Sequence, residues 1–238
     1  MIPLTKALSS SVGKKLLMAL TGVGLILFIL LHVLGNLSLY KADGTTFNLY
    51  AAGMESFGVL LTIAEVGLAT VFIVHIVLAV MLKLDHKAAR PIGYKKLKTK
   101  GRPVGASTPS NISSRNMIIT GVVLLAFLIL HIWQFRIGKM ATDAPRAEIN
   151  GVSVVDLHHI VHTVFTDPLY VAIYVGAMLF LGFHMRHGFW SAFQSLGAMN
   201  ARLTKPVYAL GVAFAILVAA GFLFIPIWIY FDIPGMLS

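Results

Sequence analysis

Five runs of apolar residues, each long enough to cross a lipid bilayer, constrain this chain most. They cover residues 15–39, 57–82, 117–135, 168–190 and 206–231, and a spanning helix needs about 20 such residues. Inside lipid the backbone must satisfy its own hydrogen bonds, so each run is predicted to be a helix. The expected fold is an all-α membrane protein with five transmembrane helices, forming a single domain over residues 1–238. Composition agrees: 12% of the residues are charged, about half the share usual in soluble proteins. The first run follows a basic patch, as in a signal peptide. It continues past a signal-peptide core with no small-residue cleavage site after it, so it is expected to stay as the first span.

The formal net charge of +10 raises the question of nucleic acid. The cations cluster beside the apolar runs instead, which is a topology signal, and no nucleic-acid binding is expected. Loop 83–116 is rich in lysine and arginine, including Lys83, Lys87, Arg102 and Arg115. Lys6, Lys14 and Lys15 precede the first run, and Arg202 and Lys205 lie between the fourth and fifth. The connections on the other side hold Lys41, Arg136, Lys139 and Arg146, offset by acids such as Asp43, Glu55, Asp143 and Glu148. The positive-inside rule therefore puts the N-terminus and loop 83–116 in the cytoplasm and the C-terminus outside. With no cysteine in the chain, disulfides, thiolate-held iron–sulfur clusters and thioether-linked haem are excluded.

Five of the nine histidines fall inside the runs: one in each of the first three, and both His184 and His187 in the fourth. A histidine in hydrocarbon is costly unless something binds it. On the predicted topology His32 and His131 lie in the outer half of the membrane, and His75 and His184 in the inner half. The two levels are on the order of 12–16 Å apart at the helical rise per residue. Taken singly, each histidine reads equally as a metal ligand or as a hydrogen-bonded interior residue. Two levels of two point to haem. Low-spin iron used for electron transfer takes one imidazole on each face, and helix bundles supply such ligands from facing helices. The first four helices are thus expected to form a bundle holding two non-covalent, bis-histidine haem b groups. Gly22, Gly24, Gly67, Gly121, Gly176 and Gly182 are candidates for close approach of a flat ring, or simply small residues that let helices pack.

Glu65 is the one carboxylate well inside a run, and it is either a proton carrier beside a quinone or haem, or a neutral acid hydrogen-bonded between helices. Gln134, Arg136, Asn36 and Tyr40 near the outer face are candidates for a quinone headgroup, for haem propionates, or for interface anchoring. Lys14, Lys15, Arg115 and Arg186 on the inner side are propionate partners or topology determinants. His158 and His162, in DLHHIVHTVFTDP, share a helical face at a zinc-compatible spacing. No third ligand is evident, and the stretch reads as a short amphipathic helix at the outer surface.

Several motifs together resemble a known family. They are GKKLLMALTG and LHVLGN within residues 13–36, ARPIGY at 89–94, SRNMIITG at 114–121, LHIWQFRIG at 130–138 and FHMRHGFWSAFQSLG at 183–197. Nearly the whole chain is similar to the single-chain, five-helix dihaem cytochrome b subunits of succinate:quinone oxidoreductases (succinate dehydrogenase, respiratory complex II) and quinol:fumarate reductases. The resemblance implies His75 and His184 as ligands of the inner haem b, and His32 and His131 as ligands of the outer one. His187 is left outside that set. It also implies a bacterial cytoplasmic-membrane subunit that anchors a flavoprotein with covalent FAD and an iron–sulfur subunit on the cytoplasmic side. Electrons from succinate would then reach a membrane quinone, and the resemblance favours menaquinone. Two rivals are a different dihaem anchor, such as that of a formate dehydrogenase or hydrogenase, and a proton-coupled transporter using His and Glu65 as a relay.

Overall fold

The computed structural model describes residues 3–41, 43–89 and 116–231, with Leu4 described by its backbone alone. It is built almost entirely of helix. A short α1 (Leu4–Ser9) leads into α2 (Ser11–Asn36), which tightens into a 3₁₀ turn over Leu37–Tyr40. Next come α3 (Thr45–Glu55) and α4 (Val59–Ala89). The next helix, α5 (Met117–His131), passes into a π-helical segment over Ile132–Ile137 and a 3₁₀ turn over Gly138–Met140. Two short strands follow, β1 (Arg146–Ile149) and β2 (Val152–Val155), then α6 (Leu157–Phe165), α7 (Pro168–Ser195) and α8 (Thr204–Tyr230).

Five helical segments are long and apolar enough to cross a membrane: Ser11–Tyr40, Val59–Ala89, Met117–Met140, Pro168–Ser195 and Thr204–Tyr230. The chain is thus an all-α, multi-pass membrane protein, as its apolar runs require. The helices outlast the runs at several ends. Hydropathy ends where lipid ends, whereas a backbone ladder continues into polar residues that tolerate helix. The last turn of α4 carries Lys87, a cation that suits the negative end of the helix dipole. Pro226 lies inside α8 and is fully buried.

The connection between the third and fourth spans is more ordered than a mixed loop. β1 and β2 pair antiparallel, with Ile149 opposite Val152. The two turn residues between them, Asn150 and Gly151, have φ of 53° and 77°. Positive φ at both central positions matches the right-handed strand twist, and Asn-Gly is the dipeptide that adopts it most readily. Asp156 then caps α6, accepting from His159 N at 2.9 Å, and the segment predicted as a short amphipathic helix is one.

The residues group into two compact units. One comprises Met1–Phe28, Val66–Gly121 and Phe183–Ala215; the other comprises Ile29–Glu65, Val122–Gly182 and Ile216–Ser238. In the first, buried residues include Ala19, Leu78, Thr120, Met185 and Trp190, and the Trp190 ring meets Tyr208 edge-on at 5.9 Å. In the second, Leu39, Phe47, Val161, Phe165, Tyr174, Ile225 and Ile229 form a core. There α3 docks on α6 through Asn48, a buried polar residue. Its Nδ2 donates to Asp156 Oδ1 and its Oδ1 accepts from His158 N, both at 2.9 Å. Gly44, with φ of 65°, lets the chain turn into α3 directly against the His158 ring, where a Cβ would come within 2.8 Å of ring atoms.

Candidate functional site

In the first unit, α4 carries His75 and α7 carries His184, and their ring centres lie 6.4 Å apart. Two imidazoles bound on opposite sides of one metal ion, through bonds of about 2 Å, have their ring centres about 6 Å apart. Thr21 of α2 places Oγ1 3.3 Å from His75 Nδ1. Buried Thr120 of α5 places Oγ1 3.0 Å from His184 Nδ1. Gly22 and Gly121 lie against the same rings. A Cβ at either would sit 3.7 Å from His75 Cε1 or 3.8 Å from His184 Cε1, an ordinary contact, so space alone does not demand glycine there. Arg186, two residues past His184, donates from Nη2 to Tyr208 Oη. Its Nε is buried with no hydrogen-bond partner among the described residues. Lys14 is taken up by Asp85 at 2.7 Å, Lys15 is exposed, and Arg115 lies outside the described residues.

In the second unit, His32 of α2 and His131 at the end of α5 face each other with ring centres 5.8 Å apart and planes nearly perpendicular at 89°. Asn36 donates to the His32 carbonyl at 2.7 Å and lies 3.5 Å from His32 Nδ1. Buried Tyr174 of α7 donates to Gln134 Oε1 at 2.7 Å, and its Oη is 3.4 Å from His131 Nδ1. Phe127, Phe135 and Tyr174 enclose the His131 ring at 5.3–6.1 Å between ring centres. The π-helical segment follows His131 at once and carries Gln134 and Arg136; such segments often mark functional sites.

Glu65 has a definite partner. Arg136 approaches it with both arms of its fork, Nε to Oε1 and Nη2 to Oε2, each at 3.0 Å. This bidentate contact joins Glu65 to a residue of another helix, the π-helical segment after α5. Lys139 pairs similarly with Glu55 at 2.8 Å.

The predicted histidines are therefore brought together as two pairs in the predicted combinations, and His187 is outside both. Among the described residues no group of three or more His, Asp or Glu side chains can hold a metal ion. A bare zinc ion needs about four ligands. Haem iron brings its four equatorial nitrogens and needs only two from the protein. The donor sets thus fit haem iron better than a bare ion, and the unpartnered Arg186 Nε fits an anionic group on such a ring. In α6, His158 and His162 stack with ring centres 4.1 Å apart, and among the described residues they belong to no group of three candidate metal ligands. Burial holds the His158 ring below its ordinary value, opposed by the Asp156 and Asp43 carboxylates.

The chain matches no family model, no curated protein and no solved structure. Reading the functional residues thus rests on local chemistry and on the motifs quoted above. Sequence reasoning passed over Thr21, Thr120 and Tyr174. Thr120 lies within SRNMIITG and Thr21 within GKKLLMALTG, but nothing in either motif says that a hydroxyl there meets a histidine on another helix.

Proposed function

We propose that this chain is a membrane cytochrome b with His75 and His184 as axial ligands of one haem b, and His32 and His131 as axial ligands of a second. The observation that carries the reading is the pairing itself. Each histidine lies at a metal-bridging separation from one other, with a polar side chain beside its Nδ1, and among the described residues no group of three or more His, Asp or Glu could hold a bare ion. Ligating histidines characteristically have that second nitrogen held by a neighbouring group. When bound, haem supplies one-electron transfer across the membrane interior.

The family resemblance extends this to the anchor of a succinate:quinone oxidoreductase, or of its fumarate-reducing counterpart, in the bacterial cytoplasmic membrane. The soluble flavoprotein and iron–sulfur subunits would dock on the cytoplasmic side, beside loop 83–116, and the electron acceptor or donor would be a quinone, with menaquinone favoured. The chain's own residues then have distinct tasks. The paired imidazoles fix iron, Arg186 offers a donor to a propionate, and the Phe127–Phe135–Tyr174 cluster keeps water from the His131 ring. Gln134 and the Glu65–Arg136 pair supply polar groups for a quinone headgroup and its protons. No carboxylate pair or dinucleotide motif for succinate chemistry is needed here, because that chemistry belongs to the partner.

The test is purification of the native complex with pyridine haemochrome and flavin measured together. Two haem b per flavin, reducible by succinate or a quinol, is the expected result. Absence of haem b sinks the reading and favours a His/Glu proton relay; one haem per flavin contradicts the paired assignment. Two haems on a complex that oxidises formate or hydrogen instead would move the chain to another anchor class.

A further inference from the structure

Iron binding requires each histidine to present the correct nitrogen, and for one pair the residues that make this choice are visible. The inference rests on the haem reading above. A neutral imidazole carries its proton on one nitrogen and keeps on the other the lone pair that binds metal. The group facing Nδ1 therefore decides whether Nε2 is a ligand. Thr21 Oγ1 lies 2.9 Å from Leu17 O and 3.1 Å from Met18 O. A hydroxyl has a single proton, and here it is committed to the helix's own carbonyls. Toward His75 Nδ1, at 3.3 Å, Thr21 can offer only a lone pair. Thr120 repeats the arrangement, donating to Met117 O at 3.0 Å while facing His184 Nδ1 at 3.0 Å. With both hydroxyl protons on those carbonyls, each histidine would carry its own proton on Nδ1 and leave Nε2 open.

We infer that Thr21 and Thr120 are positioning residues that set the metal-binding tautomer of His75 and His184 and tune the iron between them. An imidazole whose Nδ1–H is donated to an acceptor is a stronger electron donor through Nε2. It stabilises the oxidised metal and lowers the midpoint potential of that centre. The two threonines come from two helices other than those of their histidines, so each hydroxyl acts on one ligand. Thr→Val keeps the shape and removes the acceptor; Thr→Ser keeps the acceptor and removes a methyl.

The experiment uses the native membrane complex carrying Thr21→Val, Thr120→Val, both together, and the two serine variants. Haem content is read by pyridine haemochrome and midpoint potentials by optical redox titration. The expected result is an upward shift of one centre in each valine variant, larger in the double variant. The other centre stays at its wild-type potential, and serine restores both. Loss of one haem per chain in the valine variants with retention in the serine variants supports the same conclusion. The inference is overturned if valine and serine variants behave alike, or if the valine variants move both centres equally. A wild-type complex without haem overturns the parent reading instead, so the two failures are distinguishable.

Discussion

An imidazole in hydrocarbon needs something at each ring nitrogen; the four paired histidines have a polar side chain beside Nδ1, and the proposed iron would take Nε2. Ligation is therefore expected to be separable by site. His184→Ala should remove one haem per chain and leave the other. His131→Ala should remove the other, and the double variant should hold none, all read by haemochrome content. Glu65 and Arg136 belong to a different category. Both side chains are more than a third exposed, at 38% and 36%, on helices long and apolar enough to cross a membrane. Glu65→Gln is expected to leave haem content near wild type, because Glu65 is not among the four paired histidines, and to lower Tm, because Arg136 loses its partner inside a span. If the pair serves the quinone, the same substitution lowers quinone turnover several-fold; unchanged turnover across pH would remove Glu65 from the quinone site.

Among the elements, the docking of α3 on α6 is the most exposed to test, because one buried amide makes its polar contacts across an otherwise apolar core. Asn48→Ala leaves the His158 N–H without its acceptor, a loss of about 1–3 kcal/mol for a buried group, and thermal unfolding should show it. The same contact is pH-dependent. Burial pushes the Asp156 carboxyl up, but the His159 N–H and the Asn48 amide outweigh it and hold the group below its ordinary value. Burial also holds His158 below 6.5. Both depressed groups contribute stability above their ordinary values and lose it as the pH falls. His158 responds first, below about pH 6.5, and Asp156 in the acid range. Hydrogen exchange in α6, corrected for intrinsic rates, should thus rise between pH 7.5 and 5, and His158→Phe should abolish that rise.

For the whole molecule, the charge asymmetry predicts a cytoplasmic N-terminus and loop 83–116 with an external C-terminus. Reporter fusions at residues 100 and 238, active on opposite sides of the membrane, would check it. The five long helices also bear on the transporter alternative. Transporter sites are commonly built from paired broken helices at the midplane. Among the described residues the irregularities of the long helices are the 3₁₀ turn over Leu37–Tyr40 that ends the first span, the π-helical and 3₁₀ segments that end the third, and Pro226 inside α8.

The number of spans and the grouping of His32 with His131 and His75 with His184 were readable from the sequence. Apolar length is a one-dimensional property, and the rise of a helix converts residue number into depth. The Asn150-Gly151 hairpin was missed, although Asn-Gly between short apolar stretches is a hairpin signal, because the mixed charges around it read as a loop. Lateral proximity was not readable. Thr21 meets His75 across 54 residues of chain, Thr120 meets His184 across 64, and Glu65 meets Arg136 across 71. Depth says which residues share a level, but helix rotation and neighbour choice decide which of them touch, and those come from packing between helices. So the chain's own order determined a five-span protein with two pairs of intramembrane histidines. Only the tertiary structure decided which hydroxyls face the Nδ1 atoms of one pair, and that the lone intramembrane acid meets an arginine.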